Sequence, residues 1–128
     1  MLTNDAYAIT PTEALRSTSF SAGANNGPWI PVAKLEGILV FGYNVGAITG
    51  SVIYSLEDAT DGSGTGAAAL SPAVASASIS TAGTTGALRV DKRKIRSHVR
   101  LVATVTTGPG LLAGILIARD KMSPTNAT

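Results

Sequence analysis

The stretch Val99-Arg100-Leu101-Val102-Ala103-Thr104-Val105, continued after Thr107-Gly108-Pro109-Gly110 by Leu111-Leu112-Ala113-Gly114-Ile115-Leu116-Ile117-Ala118, decides the fold class. Both halves are short apolar runs bounded by turn residues, the pattern of strands, and the Gly-Pro-Gly link reads as the turn of a hairpin. The first run carries one core face and one exposed face. The second is apolar on both, so as a strand it is either central and covered or has a face that forms an interface.

Working outward, Arg89, Lys92, Arg93, Lys94, Arg96 and Arg100 form a basic cluster that leads into the first of these strands. Gly37-Ile38-Leu39-Val40-Phe41-Gly42-Tyr43-Asn44-Val45 places Leu39, Phe41, Tyr43 and Val45 on one face, while Gly42 and Asn44 thin the other. Ser51-Val52-Ile53-Tyr54-Ser55-Leu56-Glu57 alternates in the same way, and the two runs read as an antiparallel hairpin. Trp29-Ile30-Pro31-Val32-Ala33 reads as an edge strand, because Pro31 cannot donate to a central ladder. Residues 58–86 are low in complexity, with a flexible Asp61-Gly62-Ser63-Gly64 turn and a weak strand pattern near Ile79. The expectation is an all-β, single-domain antiparallel β-sandwich, jelly-roll-like, over residues 28–121. Residues 1–27 lack a sustained period and read as an extended N-terminal arm, and 122–128 as a flexible tail.

The chain has 128 residues, one domain's worth, with 5% aromatic residues and no cysteine. A disulfide framework and thiolate metal sites are therefore ruled out. The net charge of +2 does not mark a nucleic-acid binder, but six of the ten Lys and Arg fall within 89–100. The first residues lack a signal-peptide pattern, and the longest apolar run falls far short of the roughly 20 residues that span a bilayer. The reading is a soluble protein made in the cytoplasm, with no membrane partner.

No residue pattern points to catalysis, and the expectation is a non-enzyme. His98 is the single histidine, no HExxH spacing or Gly-x-Ser-x-Gly elbow occurs, and Gly62, Gly64 and Gly66 lack the Lys-Ser/Thr of a phosphate loop. Glu57, Asp58 and Asp61 offer oxygen ligands for calcium without an EF-hand's regularity, so no metal and no cofactor are expected. The basic cluster has three readings: a solvated strand edge, a contact for an acidic patch on a partner, or a phosphate stripe. No aromatic residues interleave it, so a protein partner is favoured over nucleic acid. Trp29 is expected in the core, with an interface plug as the alternative.

The chain resembles the small virion proteins of tailed bacteriophages that decorate or cement the head. The resemblance is carried by Leu35-Glu36-Gly37, Val45-Gly46-Ala47-Ile48, Tyr54-Ser55-Leu56-Glu57-Asp58-Ala59-Thr60-Asp61-Gly62, Arg89-Val90 through Val99-Arg100-Leu101-Val102, and the final run 111–118. It departs from that pattern after the Asp-Gly turn, where alanines stand in place of an aromatic, and at His98, where a Tyr is common. It implies a structural protein on the outer capsid surface of the virion. Its partners would be the major capsid protein and itself, as a homotrimer or homodimer. It would bridge capsid subunits through Arg89, Lys92, Arg93, Lys94, Arg96, Arg100 and Trp29. A head–tail junction or tail protein is the alternative, and a nucleic-acid- or glycan-binding module the alternative of another class.

Overall fold

The computed structural model describes residues 9–120. Nine strands follow in chain order: β1 (Ile9–Phe20), β2 (Gly23–Asn26), β3 (Ile30–Pro31), β4 (Leu35–Ile48), β5 (Ser51–Ala59), β6 (Ala68–Ala69), β7 (Thr84–Asp91), β8 (His98–Thr106) and β9 (Gly110–Asp120). A 3₁₀ turn, Lys92–Lys94, links β7 to β8. Among the described residues no helix is long and apolar enough to cross a membrane.

The strands form two packed antiparallel sheets, one in the order β1-β9-β4-β7 and the other β2-β8-β5-β6, with β3 also on β8. Counting β2 and β3 as one position, first pairs with last, second with second-last, and so on inward: β1 with β9, β2 and β3 with β8, β4 with β7, β5 with β6. A ribbon of such pairs, rolled until β4 meets β9 and β5 meets β8, is a jelly roll. The expected single-domain β-sandwich is the observed fold.

Two expectations are corrected. β4 and β5 lie in different sheets, as do β8 and β9, so both supposed hairpins are arches crossing the core. Alternation alone cannot separate the two cases, because it places one apolar face inward either way. The arches are tied to each other: Thr49 N–H donates to Pro109 O at 2.9 Å and Gly108 N–H to Thr49 O at 3.1 Å. The second correction concerns the arm. Within that stretch residues 9–20 and 23–26 are strands, β1 along β9 and β2 along β8. Register shifts between Glu13 and Leu15 and between Leu15 and Thr18 break the two-residue period, which hid β1 from a pattern reading. The rest of the expected arm, 1–8, and the expected tail, 122–128, lie outside the described residues.

The core lies between the sheets, around Leu39, Phe41 and Val45 of β4, Tyr54 and Leu56 of β5, Leu101 of β8 and Leu116 of β9. Tyr43 and Tyr54 stack across it, with centroids 4.4 Å apart and planes 20° from parallel. Tyr43 faces glycine on both neighbouring strands, Gly86 and Gly114. A Cβ at Gly86 would stand 2.7 Å from the Tyr43 ring, and one at Gly114 would stand 2.5 Å from the Leu101 side chain. The missing side chains are the space these larger ones fill. The low-complexity segment is laced along the free edge of β5: Val52 and Ile79 exchange backbone hydrogen bonds, and Ser76 N–H donates to Tyr54 O at 2.8 Å. It thereby buries Leu70 and Ile79.

Candidate functional site

The basic cluster straddles the crossing from β7 to β8, and the structure divides it into two sets. Glu57 and Asp58 are sequence neighbours on β5, so their side chains point to opposite faces. Glu57 stands opposite Arg100 in the β5–β8 register and accepts from its Nε at 2.9 Å and its Nη2 at 2.6 Å. Arg100 in turn lies over the Trp29 ring, 4.3 Å from its centroid. Gly64 lies on the indole of Trp29, where a Cβ would be 2.7 Å from Nε1. Trp29 is therefore half-buried on the outside of the second sheet, not in the core as expected. The Pro28–Trp29 entry to β3 turns the indole outward while Ile30 takes the inward place.

Asp58 points inward and is only 7% exposed. Its Oδ2 accepts from the Arg96 backbone N–H at 3.0 Å and its Oδ1 from Arg96 Nη2 at 2.8 Å. The same guanidinium donates to Asp58 O and Gly66 O, so one arginine closes three segments together. Burial opposes the charge on Asp58, but the Arg96 hydrogen bonds and positive charge outweigh it and hold the carboxyl below the ordinary range. Arg93 pairs with Asp91 at 2.8 Å, and Asp91 also caps the 3₁₀ turn through the Arg93 backbone N–H. Hydrogen bonding from the Arg93 side chain, then from its backbone, brings the Asp91 carboxyl down to about 2.

Arg89, Lys92 and Lys94 form the second set. Among the described residues none of them pairs with a carboxylate. Arg89 and Lys94 flank a slot of about 160 Å³ between β7 and the laced segment, with Leu70, Pro72, Val74 and Val90 in its walls. Asp91 and Ser71 complete its lining, so the slot holds a carboxylate as well as two cations.

The other candidates resolve differently. Asp61 accepts from Ser63 N–H, Thr65 N–H and the Thr65 hydroxyl, which makes it a turn-former, and the Thr65 side-chain hydrogen bond leads in lowering its pKa. No cluster of three or more metal-ligating residues occurs among the described residues. Ser97 Oγ lies 2.8 Å from His98 Nδ1, a contact between neighbours. Its single proton goes to Thr60 O at 2.6 Å, which leaves Nδ1 as the donor in the other bond. In that arrangement the imidazole does not receive the serine proton, as a general base would have to. The sequence reading missed the exposed apolar face of β9 only in part: it offered a covered strand or an interface, and Leu111, Ile115 and Ile117 are 48%, 40% and 41% exposed.

The class that this fold defines is the two-sheet jelly roll. No protein-family model matches the sequence, and no curated protein matches it. Among solved structures the chain is similar to the SPBc2 prophage-derived protein YomS, at 14% identity and a TM-score of 0.57, over 87% of this chain and 94% of that one. A structure of infectious bursal disease virus, Gx strain, aligns at 14% identity with a TM-score of 0.40, over 91% of this chain and 31% of that one. This chain thus spans about a third of that viral chain. The likeness to YomS is one of fold.

Proposed function

We propose that this chain is a non-enzymatic virion structural protein that binds an assembled phage head and reinforces it, bridging subunits of the major capsid protein from the outer surface. The observation that carries the reading is the division of the basic cluster. Arg93, Arg96 and Arg100 are engaged by the chain's own carboxylates, whereas among the described residues Arg89, Lys92 and Lys94 form no salt bridge, Lys94 only adding to the positive field at Asp91. Surface cations in that state are free to meet acidic groups of a partner. The jelly roll, a fold of capsid proteins among others, and its likeness to a prophage-derived protein are in keeping with this reading. The mechanism is clamping: two or more modest contacts made at once raise avidity by roughly 10²–10⁴.

The test is co-sedimentation of the purified protein with matching empty heads that lack it, followed by heating. The reading requires saturable binding at many copies per head and a higher disruption temperature. Lys92→Glu should weaken binding markedly without lowering the protein's own melting temperature. Heads that bind no protein overturn the cement role and favour the junction or tail alternative. Salt-sensitive binding to isolated nucleic acid or glycan would favour the other class.

A further inference from the structure

Four large apolar side chains, Ile38, Leu111, Ile115 and Ile117, are exposed on the outer face of the sheet β1-β9-β4-β7. Strand β9 is hydrogen-bonded on both sides, by β1 and β4, so only another face can cover it. Its outward residues form a ridge beside a trough. Ile117, Ile115 and Ala113 stand in register with Val40, Gly42 and Asn44 of β4. Leu111 borders Gly46, where a Cβ would lie 3.2 Å from its own. Over Gly42 the trough opens into a hollow of about 270 Å³, bounded by Asn44, Ala113 and Ile115.

We propose that two copies of this chain pair through this face about a two-fold axis that runs parallel to β4 and β9 and between them. An isologous contact needs a patch complementary to itself. This axis lays β9 of each copy over β4 of the other and preserves position along the strands. Each Ile115 then sits over the partner copy's Gly42 hollow, and each Leu111 sits over the small Gly46.

Charge selects the same axis. On the ridge face Glu13 of β1 stands in register with Ile115, and Arg89 of β7 with Val40. The axis superposes β1 of one copy on β7 of the other. Glu13 and Arg89 then meet across both edges, two residues or about 7 Å out of step along the strand, within the reach of an arginine side chain. An axis across the strands would stack β1 on β1 and β9 on β9, ridge on ridge. Four strands about 4.8 Å apart and nine residues of about 3.4 Å give a face of roughly 500 Å² per copy. Two copies bury roughly 1,000 Å², the lower bound for a specific interface.

The dimer does not rest on the capsid reading, although it would present two basic corners, each carried by Lys92 and Lys94 once Arg89 faces Glu13 of the other copy. A dimer that ignores heads would sink the cement role alone, and a monomer that coats heads would sink this proposal alone.

The experiment is sedimentation equilibrium of the full chain and its variants. The wild type should be a dimer. Gly42→Val fills the hollow while its Cβ meets only Ile115, its side chain at an ordinary 3.5 Å and its carbonyl oxygen at 4.0 Å, so the monomer should keep its fold by circular dichroism. Two filled hollows, each weakening association about tenfold, should raise the dissociation constant about a hundredfold. Glu13→Arg and Arg89→Glu should each weaken pairing, and the double variant should regain most of the loss. A wild type that is monomeric at high micromolar concentration overturns the proposal. So does a dimer indifferent to Gly42→Val, or a double swap no better than either single.

Discussion

Gly27→Ala tests whether the segment before residue 28 belongs to the sandwich. Gly27 is buried where the chain leaves β2, and its N–H donates to Leu101 O at 2.8 Å. Its φ is not positive, so the glycine is there for space. A methyl at this position would overlap the Ala14 carbonyl oxygen of β1, and would lie 3.2 Å from the Ala14 carbonyl carbon and 3.0 Å from Leu101 O. Non-bonded heavy atoms sit best at about 3.5–4.0 Å, so relief requires a backbone shift of about 1 Å. The atoms in the way are main chain on both sides, and no rotamer change yields room. Overpacking of this kind costs about 1–3 kcal/mol, and rigid walls put this case at about 3.

At about 4 °C per kcal/mol for a chain of this size, the melting temperature should fall by about 12 °C. The assay is thermal unfolding followed by circular dichroism, with hydrogen exchange at β1 as a local readout. Gly62→Ala is the internal control, since its methyl meets only the His98 ring, at an ordinary 3.5 Å and away from the pairing face, and should leave the melting temperature unchanged or slightly raised. A Gly27→Ala protein that melts within about 2 °C of the wild type would refute the reasoning and return residues 9–26 to the status of a loosely attached arm.

Three further outcomes are expected. The Asp58 carboxyl is held below its ordinary 3.8, so the stability it contributes is present above that value and lost as the pH falls through its lower folded-state value. Asp58→Asn should therefore be destabilised at pH 7 with a gap that narrows toward pH 2, as urea titrations across that range would show. Burial, then repulsion from Tyr43, pushes the Tyr54 hydroxyl up to about 12. Its contribution is whole below pH 10 and lost as the pH rises through 12, so Tyr54→Phe should flatten the alkaline fall in stability while costing about 1 kcal/mol at pH 7 for the lost bond to Asn44 O. Trp29 is the single tryptophan, so fluorescence reads its surroundings directly. Arg100→Lys keeps the charge facing Glu57 but loses the planar stack, and emission should shift red with stronger iodide quenching; an unchanged spectrum would contradict the stacking geometry.

Fold class was legible because alternation in the runs around Leu39, Val52 and Leu101 needs only local sequence. Which strand pairs with which was not. The alternation of β4 and β5 is the same whether the chain turns back in its own sheet or crosses to the other, and the decision rests on contacts far away in sequence. β1 was hidden by its register shifts, and Trp29 was misplaced because a lone tryptophan carries no period. The basic cluster was visible as composition, but its division was not, since Glu57 and Asp58 reach Arg100 and Arg96 only through the β5–β8 register. The hollow over Gly42 was half legible: the sequence thins that face of β4, and only the β4–β9 register sets Ile115 beside it.

That register also explains where the molecule's charge resides. The six cations of 89–100 are met by three carboxylates of the chain, Glu57, Asp58 and Asp91, which leaves this corner at +3. The whole chain is +2, so everything outside the corner sums to −1. The surplus is held by Arg89, Lys92 and Lys94 together. A nearly neutral body with one positive corner is oriented by the field of an acidic surface before contact, and the corner arrives first. The neutralised half of the cluster serves a different end: Arg96 ties Asp58 to the Gly66 loop, and Arg100 holds Trp29 against Glu57. These contacts brace the second sheet at the same end of the molecule, so the uncommitted cations project from its most heavily cross-linked part. The bridging role proposed above requires anchoring groups that do not yield under load, and the residues that brace the corner come from the same run of twelve as those proposed to bind.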